Sequence, residues 1–116
     1  MNIFECRDKD GIIVICTEYT WLNHIVAEHP EMKGCENMVK AVIQYPFQIY
    51  QDGINHKKKV LYTPHILPVP FGSCFLRVVI EYRKSRIRNV TRGFVCTAFA
   101  CKNQKRGDFL IWERPV

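Results

Sequence analysis

The sequence lacks the features that mark several specialised classes of protein. Its 116 residues contain no apolar run long enough to span a bilayer, so no transmembrane helix is expected. The N-terminus, MNIFECRDKD, is charged almost at once and has no apolar core of the kind found in secretory signals. Repeats and low-complexity tracts are also missing. These absences predict an ordinary globular chain that forms one domain over residues 1–116 and is located in the cytoplasm.

The six cysteines include no CxxC pair, and most of them lie inside apolar runs, where cysteine behaves as a small hydrophobic residue. A disulfide framework suits a secreted chain, and no two of these cysteines share a spacing typical of zinc ligands. We therefore expect free thiols, no bound metal and no cofactor. A metal-dependent nuclease is disfavoured for a further reason, because the C-terminal part of the chain has no acidic cluster.

Acidic residues are scarce in the second part of the chain. Residues 1–52 hold four Lys/Arg and eight Asp/Glu, whereas residues 53–116 hold thirteen Lys/Arg and three Asp/Glu. The two parts thus carry balances of −4 and +10. Such an asymmetry is typical of a protein that binds an anionic partner, usually nucleic acid. The alternative is a basic surface that only solubilises the protein.

Three clusters in predicted loops carry much of this positive charge. They are the stretch RKSRIRNVTR at Arg83–Arg92, the stretch His56–Lys59, and the group Lys102, Lys105 and Arg106. A basic hairpin tip is well placed to grip phosphates, and loops of an up-and-down sheet can converge at one end. The residues predicted to contact nucleic acid are Lys57, Lys58, Lys59, Arg83, Lys84, Arg86, Arg88 and Arg92.

Hydrophobic periodicity predicts an α+β fold. Strands at Ile3–Arg7 and Ile12–Cys16 form a hairpin, after which Thr17 caps a helix that ends near Glu28, and a second helix covers Cys35–Tyr45. We expect these two N-terminal helices to pack on an antiparallel β-sheet of about four strands, with the short N-terminal hairpin beside it. The later strands are predicted at Phe47–Gln51, Lys59–Tyr62, Cys74–Tyr82, Gly93–Cys101 and Phe109–Trp112, and a proline-rich loop is predicted at Thr63–Gly72.

Alternation in the two longest strands gives the sheet a helix-covered face and an open face. The row Phe94, Cys96, Ala98 and Ala100 is predicted under the helices, which places Arg77, Glu81 and Thr97 on the open face. Metal-free RNA cleavage needs a base for the ribose 2′-hydroxyl, an acid for the leaving oxygen and a cation for the phosphate. The alternative interpretation of Arg77 and Glu81 is a cross-strand salt-bridge pattern.

The segment WLNHIVAEHPEM, Trp21–Met32, contributes two histidines. Trp21, Leu22, Ile25 and Val26 form the predicted apolar stripe. His24 lies off that stripe, one turn before Glu28, which can orient its imidazole. His29 precedes Pro30 at the helix end, where a histidine is favoured by the helix dipole and by free carbonyls. His24 with Glu28 is thus the favoured acid or base, and His29 is the alternative.

The motifs ECR, WLNHI, EHPEM, TAF and IW, in that order, resemble those of the phage and mobile-element domains grouped as barnase–EndoU–colicin–RelE-like nucleases. The resemblance extends from Phe4 to Trp112. It implies helices packed on a four-stranded antiparallel sheet and a metal-independent ribonuclease, often a toxin or an effector in conflicts between phage and host. It maps the histidines of the first helix and the threonine of TAF onto His24, His29 and Thr97.

The leading hypothesis is therefore a cytoplasmic endoribonuclease that cleaves tRNA or mRNA by attack of the 2′-hydroxyl. His24 or His29 acts as acid or base, Arg77 holds the phosphate, and Thr97 donates a hydrogen bond to it. A cognate antitoxin, an immunity protein or a host protein is a possible partner, and no membrane is expected. The second hypothesis is a non-catalytic RNA- or protein-binding module, such as a phage-encoded inhibitor of a host system. The two differ in whether histidine, arginine and threonine meet in one cleft with room for a nucleotide.

Overall fold

The fold is built on one seven-stranded mixed sheet. The computed structural model describes the backbone of residues 1–67 and 72–115, and the side chains of residues 1–64 and 74–115. The strands lie in the order β1-β2-β6-β5-β4-β3-β7. Their bounds are β1 Asn2–Arg7, β2 Ile13–Thr17, β3 Gln48–Gln51, β4 Lys58–Leu67, β5 Gly72–Lys84, β6 Thr91–Cys101 and β7 Phe109–Glu113.

The predicted fold class, two helices on an antiparallel sheet of about four strands, is wrong. Strands account for 46% of the residues and helices for only 22%, so the sheet dominates the structure. The N-terminal hairpin, expected beside the sheet, belongs to it: β2 pairs with β6 in parallel through Val14↔Gly93 and Ile15↔Phe94. The other neighbouring strands are antiparallel. Hydrophobic periodicity could not reveal this pairing, because it indicates which face a side chain takes and not which strand lies alongside.

The parallel pairing depends on a glycine in β6. A Cβ added to Gly93 would lie 2.8 Å from Cγ2 of Ile80 and 3.0 Å from Cγ2 of Val14. Distances this short leave no room for a side chain, which is a common reason for glycine inside a strand. Gly93 therefore allows the hairpin to pack closely against the centre of the sheet.

The first helix is irregular. It begins as α1 (Glu18–Thr20). The Thr17 side chain accepts a hydrogen bond from the Thr20 N–H, so Thr17 is the N-cap, as predicted. It then widens into a π-helical segment, Trp21–Val26. A π-helical turn holds more residues than an α-helical turn, so residues are displaced around the axis. Leu22, predicted in the buried stripe, is accordingly 51% exposed.

The second helix, α2 (Glu36–Gln44), agrees with the prediction to within a residue at each end. Val39, Val42 and Ile43 face the core, and a short 3₁₀ turn, Pro30–Met32, connects the two helices. The main core beneath them also takes in Leu76, Val78 and Ile80 of β5. Within the described ranges, neither helix is long and apolar enough to cross a membrane.

Three cysteines of the main core behave as small hydrophobic side chains. Cys6, Cys16 and Cys35 are buried thiols. Burial raises the pKa of each of them, that of Cys16 to about 12. These thiols therefore stay protonated at neutral pH, and their role in the structure is packing.

One carboxylate organises the turn between β1 and β2. Asp8 Oδ1 accepts hydrogen bonds from the N–H groups of Asp10 and Ile12, both at 2.9 Å. Its other oxygen, Oδ2, accepts a hydrogen bond from the Tyr82 hydroxyl at 2.8 Å. The next residue, Lys9, places its ammonium 4.7 Å from the centre of the Trp112 ring in β7. The turn thus contacts strands from the middle and the far edge of the sheet, and it closes one end of the core.

The face opposite the helices is only partly open, contrary to the prediction. The connection between β6 and β7, residues 102–108, crosses it. The Lys105 N–H donates to the Tyr62 hydroxyl at 3.1 Å, and the backbone at Gly53 comes so close that an added Cβ would overlap the Gly107 carbonyl. Tyr62 is fully buried beneath this connection, at the centre of a small second core. Burial raises its pKa, although the Lys105 N–H opposes that shift.

The predicted proline-rich loop, Thr63–Gly72, is largely strand. β4 continues to Leu67 and β5 already begins at Gly72, while residues 68–71 lie outside the described residues. Pro64 is tolerated in β4 because the pairing with β3 ends at Tyr62, so no strand on that side requires its missing N–H.

Removing the hydroxyl of Tyr82 tests the role of Asp8. Tyr82→Phe deletes a hydrogen bond to a charged acceptor, so the free energy of unfolding at neutral pH should fall by about 1.5 kcal/mol. Burial, then the bond to Asp8, raises the pKa of Tyr82 above the ordinary value of 10.0. This contribution is therefore complete below that value and is lost as the pH rises above it.

The variant should consequently lose less stability than the wild type as the pH rises above about 10. Urea denaturation at several pH values measures both effects. Tyr45→Phe is the control, because Tyr45 is 72% exposed. Parallel alkaline declines for the wild type and Tyr82→Phe would contradict the assignment.

Candidate nucleic-acid interface

His24 of the first helix and His29, which follows that helix, border the same strand. β6 pairs with β2 only at Gly93 and Phe94, and the first helix packs along the remainder of β6. His24 lines a cleft together with Cys96 of β6. Further along, the imidazole of His29 stacks on the Phe99 ring, with centroids 4.6 Å apart and an interplanar angle of 20°. Both predicted histidines therefore lie at this edge.

His24 lies in a cleft of about 480 Å³, large enough to hold a nucleotide. The imidazole is exposed, and its edge meets the Tyr19 ring at a centroid distance of 5.5 Å. Tyr19 precedes it by five residues, a spacing that a π-helical turn aligns. The predicted contact with Glu28 is not found among the described residues. The cleft is lined by Ile15, Thr17, Thr20, His24, Arg83, Phe94, Val95 and Cys96.

Arg83 is held at the wall of this cleft by two neighbours. Its Nε lies 2.6 Å from Oε2 of Glu81, and its guanidinium carbon lies 5.0 Å from the centre of the Phe94 ring. The Arg83 side chain is 64% exposed, so the ion pair contributes little to stability and mainly fixes the direction of the guanidinium. The cleft thus combines an imidazole, an oriented cation and a carboxylate behind that cation.

A second cleft, of about 350 Å³, lies at the tip of the β5–β6 hairpin. Its wall includes four cations, and the sequence between Arg83 and Arg92 contains no acidic residue. It shares Arg83 and Phe94 with the His24 cleft, so the two are neighbours. We call them together the β6 groove. The tip cleft is lined by Arg83, Lys84, Ser85, Arg88, Val90, Arg92 and Phe94.

A β-bulge in β6 explains why Phe94 was not predicted in the groove. Val79 pairs with Thr97 and Ile80 pairs with Val95, so Cys96 has no partner on β5. The extra residue reverses the alternation of the strand on one side of it. Val95 therefore lies in the main core. Phe94, which was predicted under the helices, lies on the groove side, where the Arg83 guanidinium packs over its ring.

Arg77, His29 and Thr97 form a separate group on this face. The guanidinium carbon of Arg77 lies 5.2 Å from the centre of the Phe99 ring and 5.9 Å from that of Tyr62. Its Nε is buried and has no hydrogen-bond partner among the described residues. Thr97 is half-buried on the neighbouring strand, opposite Val79. The predicted catalytic set is thus divided, with His24 in the groove and Arg77 beside the second core.

The residues of the other two basic clusters do not line either cleft. Strand alternation separates the lysines of the second cluster: Lys58 is opposite Glu81, whereas the Lys59 ammonium lies 5.2 Å from the centre of the Tyr82 ring, on the helix side. The cluster that begins at Lys102 follows Cys101, at the end of β6 remote from the hairpin tip. Among the described residues, no three His, Cys, Asp or Glu side chains are grouped to hold a metal ion.

Comparisons of the chain with protein-family models, with curated proteins and with solved structures give no match. The function has to be inferred from the groove.

The two histidines should differ in their contribution to stability. His29→Ala removes the stack on Phe99 and a contact of 3.6 Å between Nδ1 and Glu31 Oε1, so we expect a loss of about 1 kcal/mol. His24 is exposed, and His24→Ala should change the free energy of unfolding by less than about 0.5 kcal/mol. Chemical denaturation measures both, with the exposed Asn23→Ala as control. Equal losses for the two histidine variants would contradict these placements.

Proposed function

We propose that the chain is a metal-independent endoribonuclease whose RNA strand lies in the β6 groove. The observation that carries the proposal is the junction of the two clefts at Arg83 and Phe94. One cleft offers cations for successive phosphates, and the other offers an exposed imidazole beside an oriented arginine. Of the predicted catalytic residues His24, Arg77 and Thr97, His24 lines this cleft whereas Arg77 and Thr97 do not; the arginine and the threonine that line it are Arg83 and Thr20.

The groups in the His24 cleft match the requirements of 2′-hydroxyl attack. His24 is exposed and can act as general base or general acid. Arg83 is positioned to stabilise the charge that grows on the phosphate. Glu81, held by Arg83 and outside the lining of the cleft, is the second group able to accept or donate a proton. Phe94 offers a ring on which a base can stack.

The proposal assigns Arg83 the role first predicted for Arg77. Arg77 lies against Tyr62 and Phe99, whereas Arg83 shares its cleft with His24. His29 remains the alternative acid or base, since it borders the same strand. Kinship with the barnase–EndoU–colicin–RelE-like nucleases is part of the proposal. It is supported by sequence motifs alone, and the seven-stranded mixed sheet differs from the four-stranded antiparallel sheet that the resemblance implies. A cytoplasmic site of action, a tRNA or mRNA substrate and a neutralising antitoxin, immunity or host protein belong to the same proposal.

Charge reversal in the tip cleft tests the binding half of the proposal. Arg88→Glu should weaken binding to a single-stranded RNA at low salt and lower the slope of log K against log salt by about one. Lys33→Glu is the matched control, because Lys33 is exposed in the turn between the helices. Fluorescence anisotropy across a salt series measures both variants. Equal effects of the two reversals would show that total charge, and not the groove, governs binding.

Loss of His24 tests the catalytic half. His24→Ala should reduce the rate of cleavage of a labelled RNA by about a hundredfold or more and leave the dissociation constant nearly unchanged. EDTA should not affect the wild type. An RNA with a single 2′-deoxy nucleotide at the cleaved position should resist cleavage, because the attacking hydroxyl is missing. Activity that EDTA abolishes and magnesium restores would refute the mechanism, and tight binding without cleavage by the wild type would favour the non-catalytic module.

A further inference from the structure

The apex of the β5–β6 hairpin presents one apolar side chain among arginines. Ile87 is 96% exposed, so it gains almost none of the burial that stabilises an isoleucine in a folded protein. Arg86 and Arg88 flank it and are exposed as well. Arg88 also lines the tip cleft, so the apex is continuous with the β6 groove. Such an arrangement is complementary to a partner that is negatively charged and offers an apolar slot.

Hydrogen bonds hold Ile87 at this apex. The Ser85 N–H donates to the Val90 carbonyl at 2.9 Å, and the Asn89 N–H donates to the Ser85 carbonyl at 3.0 Å. The Arg88 N–H donates to Ser85 Oγ at 3.3 Å. Asn89 has φ 52°, in the left-handed region that asparagine tolerates better than most residues. The turn is therefore organised before any partner arrives, and it directs Ile87 away from the protein.

We propose that this tip is a wedge for base-paired RNA. Ile87 inserts between two stacked bases next to a loop or bulge, and Arg86 and Arg88 contact the flanking phosphates. Apolar side chains in basic elements unstack base steps in this way in other nucleic-acid complexes. The unstacked nucleotide then enters the β6 groove and reaches the His24 cleft. The inference rests on the proposed function of that groove, and it names as substrate an RNA with a junction between paired and unpaired segments.

The surroundings of Ile87 favour RNA over a lipid surface. A basic tip with an apolar apex also suits an anionic membrane, but one aliphatic side chain buries little area in lipid. The cleft beside the tip has room for a nucleotide and is walled by cations and by the Phe94 ring. A strand that passes the apex therefore finds phosphate contacts and a stacking surface along one path.

The wedge can be tested by fluorescence. An RNA hairpin carries 2-aminopurine beside a one-nucleotide bulge, with 2′-O-methyl groups around the bulge to prevent cleavage. Saturating wild-type protein should raise the emission severalfold, because unstacking removes the quenching of 2-aminopurine. Ile87→Ser should remove most of this rise and weaken binding to the bulged hairpin about tenfold more than binding to a single strand of the same composition.

Ile54→Ser is the matched control, because Ile54 is 87% exposed in the loop between β3 and β4. It should behave as the wild type on both RNAs. A full rise with Ile87→Ser, or an equal loss with Ile54→Ser, overturns the wedge. If the protein binds phosphatidylglycerol vesicles through Ile87 and does not raise the emission of the RNA probe, the wedge is overturned in favour of a membrane. If wild-type protein raises the 2-aminopurine emission but does not cleave unmodified RNA, the wedge is supported and the proposed function is refuted. If it cleaves the RNA without raising the emission, the proposed function is supported and the wedge is refuted.

Discussion

The candidate site depends on how short the contact between β2 and β6 is. The two strands pair over Val14 and Ile15 only, and β2 ends two residues later at Thr17, where the chain turns directly into the first helix. The rest of that edge of β6 is thus left to the helix, which brings histidines beside it. Had β2 continued, its backbone would occupy the edge along which His24 and His29 now lie. The lack of a side chain at Gly93 is what allows even this brief contact.

Local signals in the sequence predicted the local structure well. The cap at Thr17, the bounds of α2 and the inward face of β5 follow from side-chain chemistry and periodicity within a few neighbouring residues. The sheet as a whole could not be predicted in this way. The parallel strand, the bulge at Cys96 and the connection across Tyr62 are set by contacts between residues far apart in sequence.

The same distinction between local signals and long-range contacts applies to the candidate site. Exposure of His24 and the positive charge of the hairpin tip could be inferred from a helical wheel and from composition. The arginine that lines the His24 cleft could not be inferred. Alternation puts Arg77 and Arg83 on one face of β5, and it does not show which of them is enclosed by aromatic rings. The bulge distinguishes the two arginines, because it brings Phe94 to the face where Arg83 lies. A single inserted residue thus determines which cation accompanies His24.

The separation in sequence between the two walls of the groove has a kinetic consequence. The β5–β6 hairpin pairs neighbouring segments, so the cationic tip cleft needs only a short loop to close. Val14 reaches Gly93 only after most of the chain has been brought together, and closing so large a loop is slow. During folding the cationic wall therefore forms before the helix that carries His24 docks. A chain that has not finished folding would thus expose an assembled cationic wall while its imidazole is still out of place.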